Sequence, residues 1–361
     1  MPGIRVLVVE DSITIRKRLV EVLRADPGLE VVGEAEDGKR AIELCQSLKP
    51  AVVTMDMMLP VMTGLSATEY IMAYCPTPIL IVSASTNRGE VFRTYDALAA
   101  GALDVLEKPL GNEPDGVWEK RFIQTVKLLS RIKVITHPRA RLSPSGAPEN
   151  SAAPTAAAPR FRDSRSFSLI AIGTSTGGPG AIMAILRALP PDFPIPILLV
   201  IHIGEPFAAA FADWLDGQSP LRVAYAKQGQ PLPGLGAGGV TIALPNRHLI
   251  LQHRTLHLTS DPERHSCRPS VDVLFESVAR ELGGTCAACL LTGMGRDGAQ
   301  GLLAIKRAGG LTIAQDEASS IVFGMPREAI ALGAAERILS VDQIAPALIA
   351  LTAKPRHPEN A

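Results

Sequence analysis

The run Gly173-Thr174-Ser175-Thr176-Gly177-Gly178 sets a serine between two glycines, after an apolar stretch and before the amphipathic stretch 181–189. Gly-x-Ser-x-Gly spacing permits a tight strand-to-helix turn that exposes the hydroxyl. The glycines tolerate the backbone angles such a turn needs, and the helix N-terminus that follows offers amides to an anion. The same residues also suit a phosphate-binding loop, although a Walker lysine and the Gly-x-Gly-x-x-Gly order are missing, or a plain glycine-rich turn. A serine nucleophile needs a base, and the base needs an orienting group. Of the seven histidines, His202 directly follows the apolar run 197–201, and Asp297 lies in Gly293-Met294-Gly295-Arg296-Asp297-Gly298, just past the run ending at Thr292. Ser175, His202 and Asp297 thus each follow a strand-like segment, in a chain order that differs from the Ser, Asp, His of α/β-hydrolases.

A second set of chemically able residues occupies the first 110 positions. Glu10 and Asp11 close the first apolar run, Asp56 the third, Ser83 the fourth and Lys108 the fifth. Ligand groups gather at the carboxyl ends of strands in open α/β sheets, so these side chains are expected on one rim. Clustered carboxylates can hold Mg2+ through oxygen, a lysine can offset charge on a transferring phosphoryl group, and Asp56 can become an aspartyl-phosphate.

The elements that would position both sets follow from periodicity. Apolar runs at 4–9, 30–34, 51–55, 78–83 and 103–107 alternate with amphipathic segments such as 13–24, whose apolar residues fall at 15, 19, 20, 22 and 23. Five such repeats predict a parallel sheet with helices on both faces. The second half repeats the pattern, with strands near 169–173, 197–201 and 286–292. Between them, periodicity vanishes and Pro138, Pro144, Pro148, Pro154 and Pro159 interrupt the chain, as in a flexible linker. The expectation is an α/β protein of two doubly wound parallel-sheet domains, a flavodoxin-like one over 1–133 and a Rossmann-like one over 167–355, joined by a Pro/Ala-rich linker over 134–166.

Composition narrows the function classes. The chain has 361 residues, 36 Lys plus Arg against 36 Asp plus Glu, and 47% hydrophobic residues. That balance lacks the basic footprint of a nucleic-acid binder, and no basic helix-turn-helix segment appears. The most apolar stretch, 195–203, is too short to cross a bilayer, and the charged first ten residues do not read as a signal peptide. Five cysteines are too few for a disulfide framework, so a cytoplasmic location without membrane insertion is expected. Cys286-Ala-Ala-Cys289 has ligand spacing but sits in a strand-like run, which favours a buried structural role. His248, His253, His257 and His265 lack His-Glu-x-x-His spacing and read as surface residues.

Taken together, Glu10-Asp11-Ser12, Asp56-x-x-x-Pro60-x-x-x-Gly64 and Lys108-Pro109 closely resemble the response-regulator receiver family over residues 1 to about 130. Residues 167 to about 350 resemble the chemotaxis protein-glutamate methylesterase (CheB) family, through 173–178, Arg268-Pro-Ser-Val-Asp272, Leu291-Thr-Gly-Met-Gly295 with Asp297-Gly298, and Phe323-Gly-Met-Pro-Arg-Glu328. The first resemblance implies Asp56 as phosphoacceptor, Mg2+ held by Glu10, Asp11, Asp56 and the Met58 carbonyl, phosphoryl contacts from Ser83 and Lys108, and a cis bond before Pro109. The second implies Ser175 as nucleophile, His202 as general base and acid, Asp297 as orienting carboxylate and the Met294 amide as oxyanion donor, with no cofactor for the ester chemistry. Five positions depart from the usual patterns: Glu10, Val105 at the switch position, Thr174, Ile201 and Ile203.

The implied activity is phosphorylation-activated hydrolysis of glutamate methyl esters on chemoreceptors, with deamidation of receptor glutamines. The implied partners are a chemotaxis histidine kinase as phosphodonor and the methylated cytoplasmic part of the receptors. A receiver-controlled binding module or phosphate sink with a silent hydrolase domain, and an esterase of a related surface-sensing pathway, are the rival readings.

Overall fold

A computed structural model describes residues 3–84, 88–109, 116–132, 134, 165–204 and 207–352. These form two compact units. Most of the expected linker, 135–164, lies outside the described residues.

The first unit alternates strand and helix: β1 (Ile4–Val9), α1 (Ile13–Arg24), β2 (Leu29–Ala35), α2 (Gly38–Leu48), β3 (Val52–Met55), α3 (Gly64–Tyr74), β4 (Ile79–Ser83), α4 (Arg88–Ala99), β5 (Asp104–Glu107) and α5 (Val117–Leu129). All its strand pairs are parallel, in the order β2-β1-β3-β4-β5. This is a doubly wound order whose switch point lies between β1 and β3. The 3.6-residue spacing of α1 buries Leu19, Val20, Val22 and Leu23, and Ser12 caps the helix by accepting from the Ile15 amide. Where α3 begins, Gly64 passes so close to the Asp56 carbonyl that a Cβ would sit 1.9 Å from that oxygen. The glycine four residues after Pro60 is therefore what lets the β3–α3 loop fold back under the strand end.

The second unit runs β6 (Leu169–Thr174), α6 (Gly178–Ala188), β7 (Ile197–Ile201), α7 (Phe211–Gln218), β8 (Val223–Tyr225), β9 (Gln230–Pro231), β10 (Val240–Ile242), β11 (His248–Gln252), β12 (Thr255–Thr259), α8 (Val271–Leu282), β13 (Cys286–Leu290), α9 (Ala299–Arg307), β14 (Leu311–Gln315), α10 (Met325–Ala331), β15 (Arg337–Leu339) and α11 (Val341–Ala350). Its main sheet is entirely parallel, in the order β15-β14-β13-β6-β7-β10-β8. The chain winds outward from β6 through β7, then returns to the other side of β6 at β13. The carboxyl ends of β13, β6 and β7 therefore flank the reversal, where open sheets form their crevice. Central strands are buried on both faces: every residue of β6, β7 and β13 is buried. Helix α8 packs Val271, Leu274, Phe275 and Val278 into this core.

Both parallel sheets match the expected class. A small antiparallel sheet, β11-β12-β9, was not anticipated. Cys286 and Cys289 lie fully buried on β13, their thiols pushed up to about 12 by burial, in keeping with a structural role. The bond before Pro109 is not cis. Among the described residues the cis peptide is Arg268–Pro269, and Lys108 reaches the carboxylates from a trans linkage, the lower-energy isomer. No described helix is long and apolar enough to cross a membrane.

Candidate active site and phosphoacceptor site

Strand register brings the serine and histidine together. Thr174 pairs with Ile201 across β6 and β7, and the His202 amide donates to the Thr174 carbonyl at 3.1 Å. Ser175 and His202 are thus the next residues off two neighbouring strand ends, whose backbones run about 4.8 Å apart. On the other side, the Ser175 amide donates to the Thr292 carbonyl beyond β13 at 3.0 Å, and the Thr174 hydroxyl donates to that same carbonyl at 2.8 Å. The turn after Ser175 closes through Gly178 N to Ser175 O at 2.7 Å, with Gly177 at φ 79, a left-handed conformation that glycine adopts without steric cost.

Asp297 completes the group. Its Oδ2 lies 3.0 Å from His202 Nε2. The carboxylate is 2% exposed and docks on the N-terminus of α8, where Oδ1 accepts from the Ser270 hydroxyl at 2.7 Å and the Asp272 amide at 3.1 Å, and Oδ2 from the Val271 amide at 2.7 Å. Burial alone would raise its pKa. The bonds to His202, Ser270 and Val271 and the histidine's charge outweigh that and hold it below the usual carboxylate range. In the neutral ring an ionised Asp297 fixes the hydrogen on Nε2, which makes Nδ1, with Cys267 Sγ at 3.8 Å, the basic nitrogen. Burial also disfavours charge on His202, yet hydrogen bonds to Asp297 and Cys267 and the negative charge of Asp297 raise its pKa to about 9. Among the described residues no hydrogen bond joins Ser175 Oγ to His202. The two are adjacent but not closed, as catalytic pairs often are without substrate.

The loop bearing Met294 is held by the second half of the sequence pattern. Gly293 N donates to Val322 O at 3.0 Å, while Gly324 N and Met325 N donate to Gly293 O at 3.1 and 2.9 Å. Phe323 forms a parallel bridge with Gly293. Among the described residues the Met294 amide donates to no acceptor, so it is available to a developing oxyanion. A hydroxyl, an imidazole held by a buried carboxylate, and a free amide together suit acyl transfer.

The first unit collects a different cluster. Lys108 Nζ lies 3.0 Å from Asp56 Oδ2 and 2.9 Å from Glu10 Oε2, with both carboxylates buried. Burial and the charge of Asp56 raise Glu10 to about 7, against the pull of Lys108. Burial likewise raises Asp56, and Lys108 opposes it. For Lys108 itself, burial is outweighed by the two acids and its pKa rises. Glu10, Asp11 and Asp56 can each direct one oxygen to a common point, and Asp56 Oδ1 is buried without a hydrogen-bond partner. An all-oxygen donor set with an unsatisfied buried carboxylate oxygen fits Mg2+. Met58 follows two residues after Asp56 in the same loop. The Ser83 hydroxyl is not turned to this cluster; it donates to Glu90 at 3.0 Å.

Comparison with known proteins bears on both sites. Residues 170–348 match the CheB methylesterase family model and residues 6–114 the response regulator receiver domain model. The chain is 46% identical to a protein-glutamate methylesterase/protein-glutamine glutaminase of Anaeromyxobacter dehalogenans, over 97% of both chains. It is 43% identical to a Nitrosospira multiformis protein of the same name, over 97% of this chain and 98% of that one, and 41% identical to one of Myxococcus xanthus, over 95% of each. The chain belongs to the CheB methylesterase family.

Within this member of the CheB family, Ser175, His202, Asp297 and Met294 gather on one rim, as do Glu10, Asp11, Asp56 and Lys108 on another. One histidine expected on the surface is not there, while His265 is exposed as expected. His248 is fully buried, bonding Pro262 O and accepting from the Ser270 amide, because it opens β11 against the α8 cap. His265 binds Asp272 at 3.1 Å and accepts from Arg296 at 3.2 Å. Sequence reasoning gave no role to Ser270 and Thr292, though both lie in the quoted motifs, and passed over Cys267. Ser270 carried a signal: a serine directly before the helical spacing Val271, Leu274, Phe275, Val278 is an N-cap pattern. The departures are accommodated, with Val105 buried on β5 and Ile201 buried on β7.

Proposed function

We propose that the second unit hydrolyses γ-glutamyl methyl esters on the cytoplasmic part of methylated chemoreceptors. The observation that carries this reading is the His202 Nε2–Asp297 Oδ2 contact of 3.0 Å beside Ser175 on the adjoining strand end. His202 Nδ1 takes the hydroxyl proton as Ser175 Oγ attacks the ester carbon. The Met294 amide receives the oxyanion. Collapse expels methanol with the proton from His202, and water then cleaves the acyl-serine by the same route. Glutamine side chains would follow this path with ammonia as leaving group. No step calls on a cofactor.

The first unit, on this reading, accepts a phosphoryl group on Asp56 from a chemotaxis histidine kinase and thereby raises hydrolase activity. Glu10, Asp11, Asp56 and the Met58 carbonyl would hold Mg2+, which supplies charge neutralisation at the phosphoryl oxygens. Lys108 supplies a fixed positive charge beside Asp56, and Ser83 contacts the phosphoryl group once its hydroxyl leaves Glu90. The protein would act in the cytoplasm, within chemotactic adaptation. Methanol release from radiolabelled methylated receptor, with and without a phosphodonor, tests the whole reading. No release under either condition would leave a binding module with a silent hydrolase site, and release unaffected by the phosphodonor would remove the control step.

A further inference from the structure

Cys267 lies half-buried in the loop before α8, with Sγ 3.8 Å from His202 Nδ1. Nothing in the ester chemistry requires a thiol there. Cysteine sulfur and neutral imidazole nitrogen are the donors that borderline-soft divalent cations prefer, at about 2.3 Å for Zn–S and about 2.0–2.1 Å for Zn–N. At an S–Zn–N angle of about 110–120°, those bond lengths put the donors about 3.6–3.8 Å apart. The observed gap of 3.8 Å lies at the upper end of that range.

His202, Cys267 and Asp297 form a cluster whose ligand atoms all lie within 4.8 Å of one another. Asp297, however, is committed: its two oxygens take the Ser270 hydroxyl, the Val271 and Asp272 amides and His202 Nε2. It therefore serves as the carboxylate that orients a metal-bound imidazole from behind, the arrangement that fixes the tautomer and strengthens histidine ligands. The loop bearing Cys267 is itself secured. Arg264 and Cys267 form an antiparallel bridge, and Arg264 pairs with Glu276 of α8 at 2.7 Å.

We propose that His202 Nδ1 and Cys267 Sγ form an inhibitory Zn2+ site at the hydrolase centre, with Asp297 supporting the imidazole and solvent completing the coordination. The thiol proton, and the Nδ1 proton where the ring is an imidazolium, pass to solvent on binding. The Nδ1 lone pair that would take the serine proton becomes the metal bond, so a bound ion and catalysis exclude each other. Mg2+, which demands oxygen ligands, is not bound here. The chain thus carries two clusters that sort metals by donor type. The inhibitory consequence rests on His202 being the catalytic base; the metal site itself does not.

Two measurements on the full-length protein test this. Co2+ added to the metal-free protein, as a spectroscopic stand-in for Zn2+, is expected to give a near-ultraviolet thiolate charge-transfer band. That band should be lost in Cys267→Ala and retained in Cys75→Ser, which removes the half-buried thiol of the other unit. A band unchanged in Cys267→Ala, or no band in the parent, overturns the site. In the second arm Zn2+ is titrated into esterase assays, each variant normalised to its own metal-free rate. The concentration for half-inhibition is expected to rise at least about tenfold in Cys267→Ala, a loss in the range seen when even outer-shell partners are removed. Equal sensitivity of parent and variant overturns the inhibitory role. A parent with no esterase activity at all would defeat the functional reading, and the Co2+ band would still decide whether the metal site exists.

Discussion

Asp297 holds His202 through Nε2 at 3.0 Å while Ser270 holds Asp297 through its hydroxyl at 2.7 Å. Ser270 also caps α8, accepting from the Val273 amide at 3.3 Å. One side chain thus ties helix start to site geometry. Ser270→Ala is expected to cost about 1 kcal/mol through the cap, a fall of about 2–4 °C in the melting temperature for a domain of this size. It should also lower kcat by about 10-fold or more, since a hydrogen bond to a charged group is worth about 1.5–3 kcal/mol. Differential scanning calorimetry and methanol-release kinetics read the two effects, and a stable variant with full kcat would remove Ser270 as a positioning residue.

Ser175→Ala removes the hydroxyl and little else, because the turn is built from backbone bonds to Thr292 and Gly178. Esterase activity is expected to fall by about 10^4-fold or more, with an unchanged circular dichroism spectrum and melting temperature. Activity within about tenfold of the parent would assign the nucleophile elsewhere.

The pH profile follows from His202. Its folded-state pKa is raised to about 9, so the neutral form that can accept the serine proton grows as pH rises through that value. The acid limb of kcat/KM for the free enzyme is therefore expected well above the ordinary imidazole range near about 6.5. Part of the rise comes from Cys267, so Cys267→Ala should move the limb toward lower pH. The same shift has a stability consequence of definite sign. A raised histidine pKa favours the folded state fully below the unfolded pKa, and that contribution is lost as pH climbs toward 9. A limb near 6 in the parent would contradict the environment described for the ring.

How far the sequence could reach is clear from particular residues. Strand ends were legible because apolar runs are short and bounded, and the rule that ligands collect at carboxyl ends then located Ser175, His202, Asp297, Asp56 and Lys108. Partners that come from the far side of the sheet were not legible. The clamp on Asp297 uses the first turn of α8, about 25 residues upstream, and no local pattern announces that pairing. Cys267 escaped for the same reason, since its proximity to His202 depends on a loop bridged between Arg264 and itself. His248 was misjudged because strand alternation sets it in phase with half-buried Ile250 and exposed Gln252, and it is buried instead by contacts with the Ser270 amide and the Pro262 carbonyl, both distant in sequence.

Phosphorylation makes its own test. Asp56 Oδ1 is buried and unpaired while Oδ2 faces Lys108 at 3.0 Å, so one oxygen is available for attack beside a fixed positive charge. Acetyl phosphate with Mg2+ is expected to add one phosphoryl group to the parent by intact-mass spectrometry and none to Asp56→Asn. Omitting the metal with a chelator should abolish the adduct in the parent. An adduct that survives Asp56→Asn would place the phosphoacceptor at another residue.

Control of one unit by the other can be separated from simple tethering. Ser175, His202, Asp297 and Met294 all come from the second unit, and the bonds that position them are internal to it. Nothing in that geometry depends on the state of Asp56, so a hydrolase of this kind would run continuously unless restrained. If the unphosphorylated receiver obstructs access to Ser175, phosphorylation can relieve it only by the difference in stability the phosphoryl group makes between the two states. If the receiver merely concentrates the enzyme near its substrate, its removal forfeits effective concentration and relieves nothing. Deleting residues 1–133 and assaying a soluble methylated receptor fragment distinguishes them. Obstruction predicts a faster enzyme than the unphosphorylated parent, at a rate the phosphodonor no longer changes. A truncated enzyme no faster than that parent would defeat obstruction and leave tethering as the receiver's role.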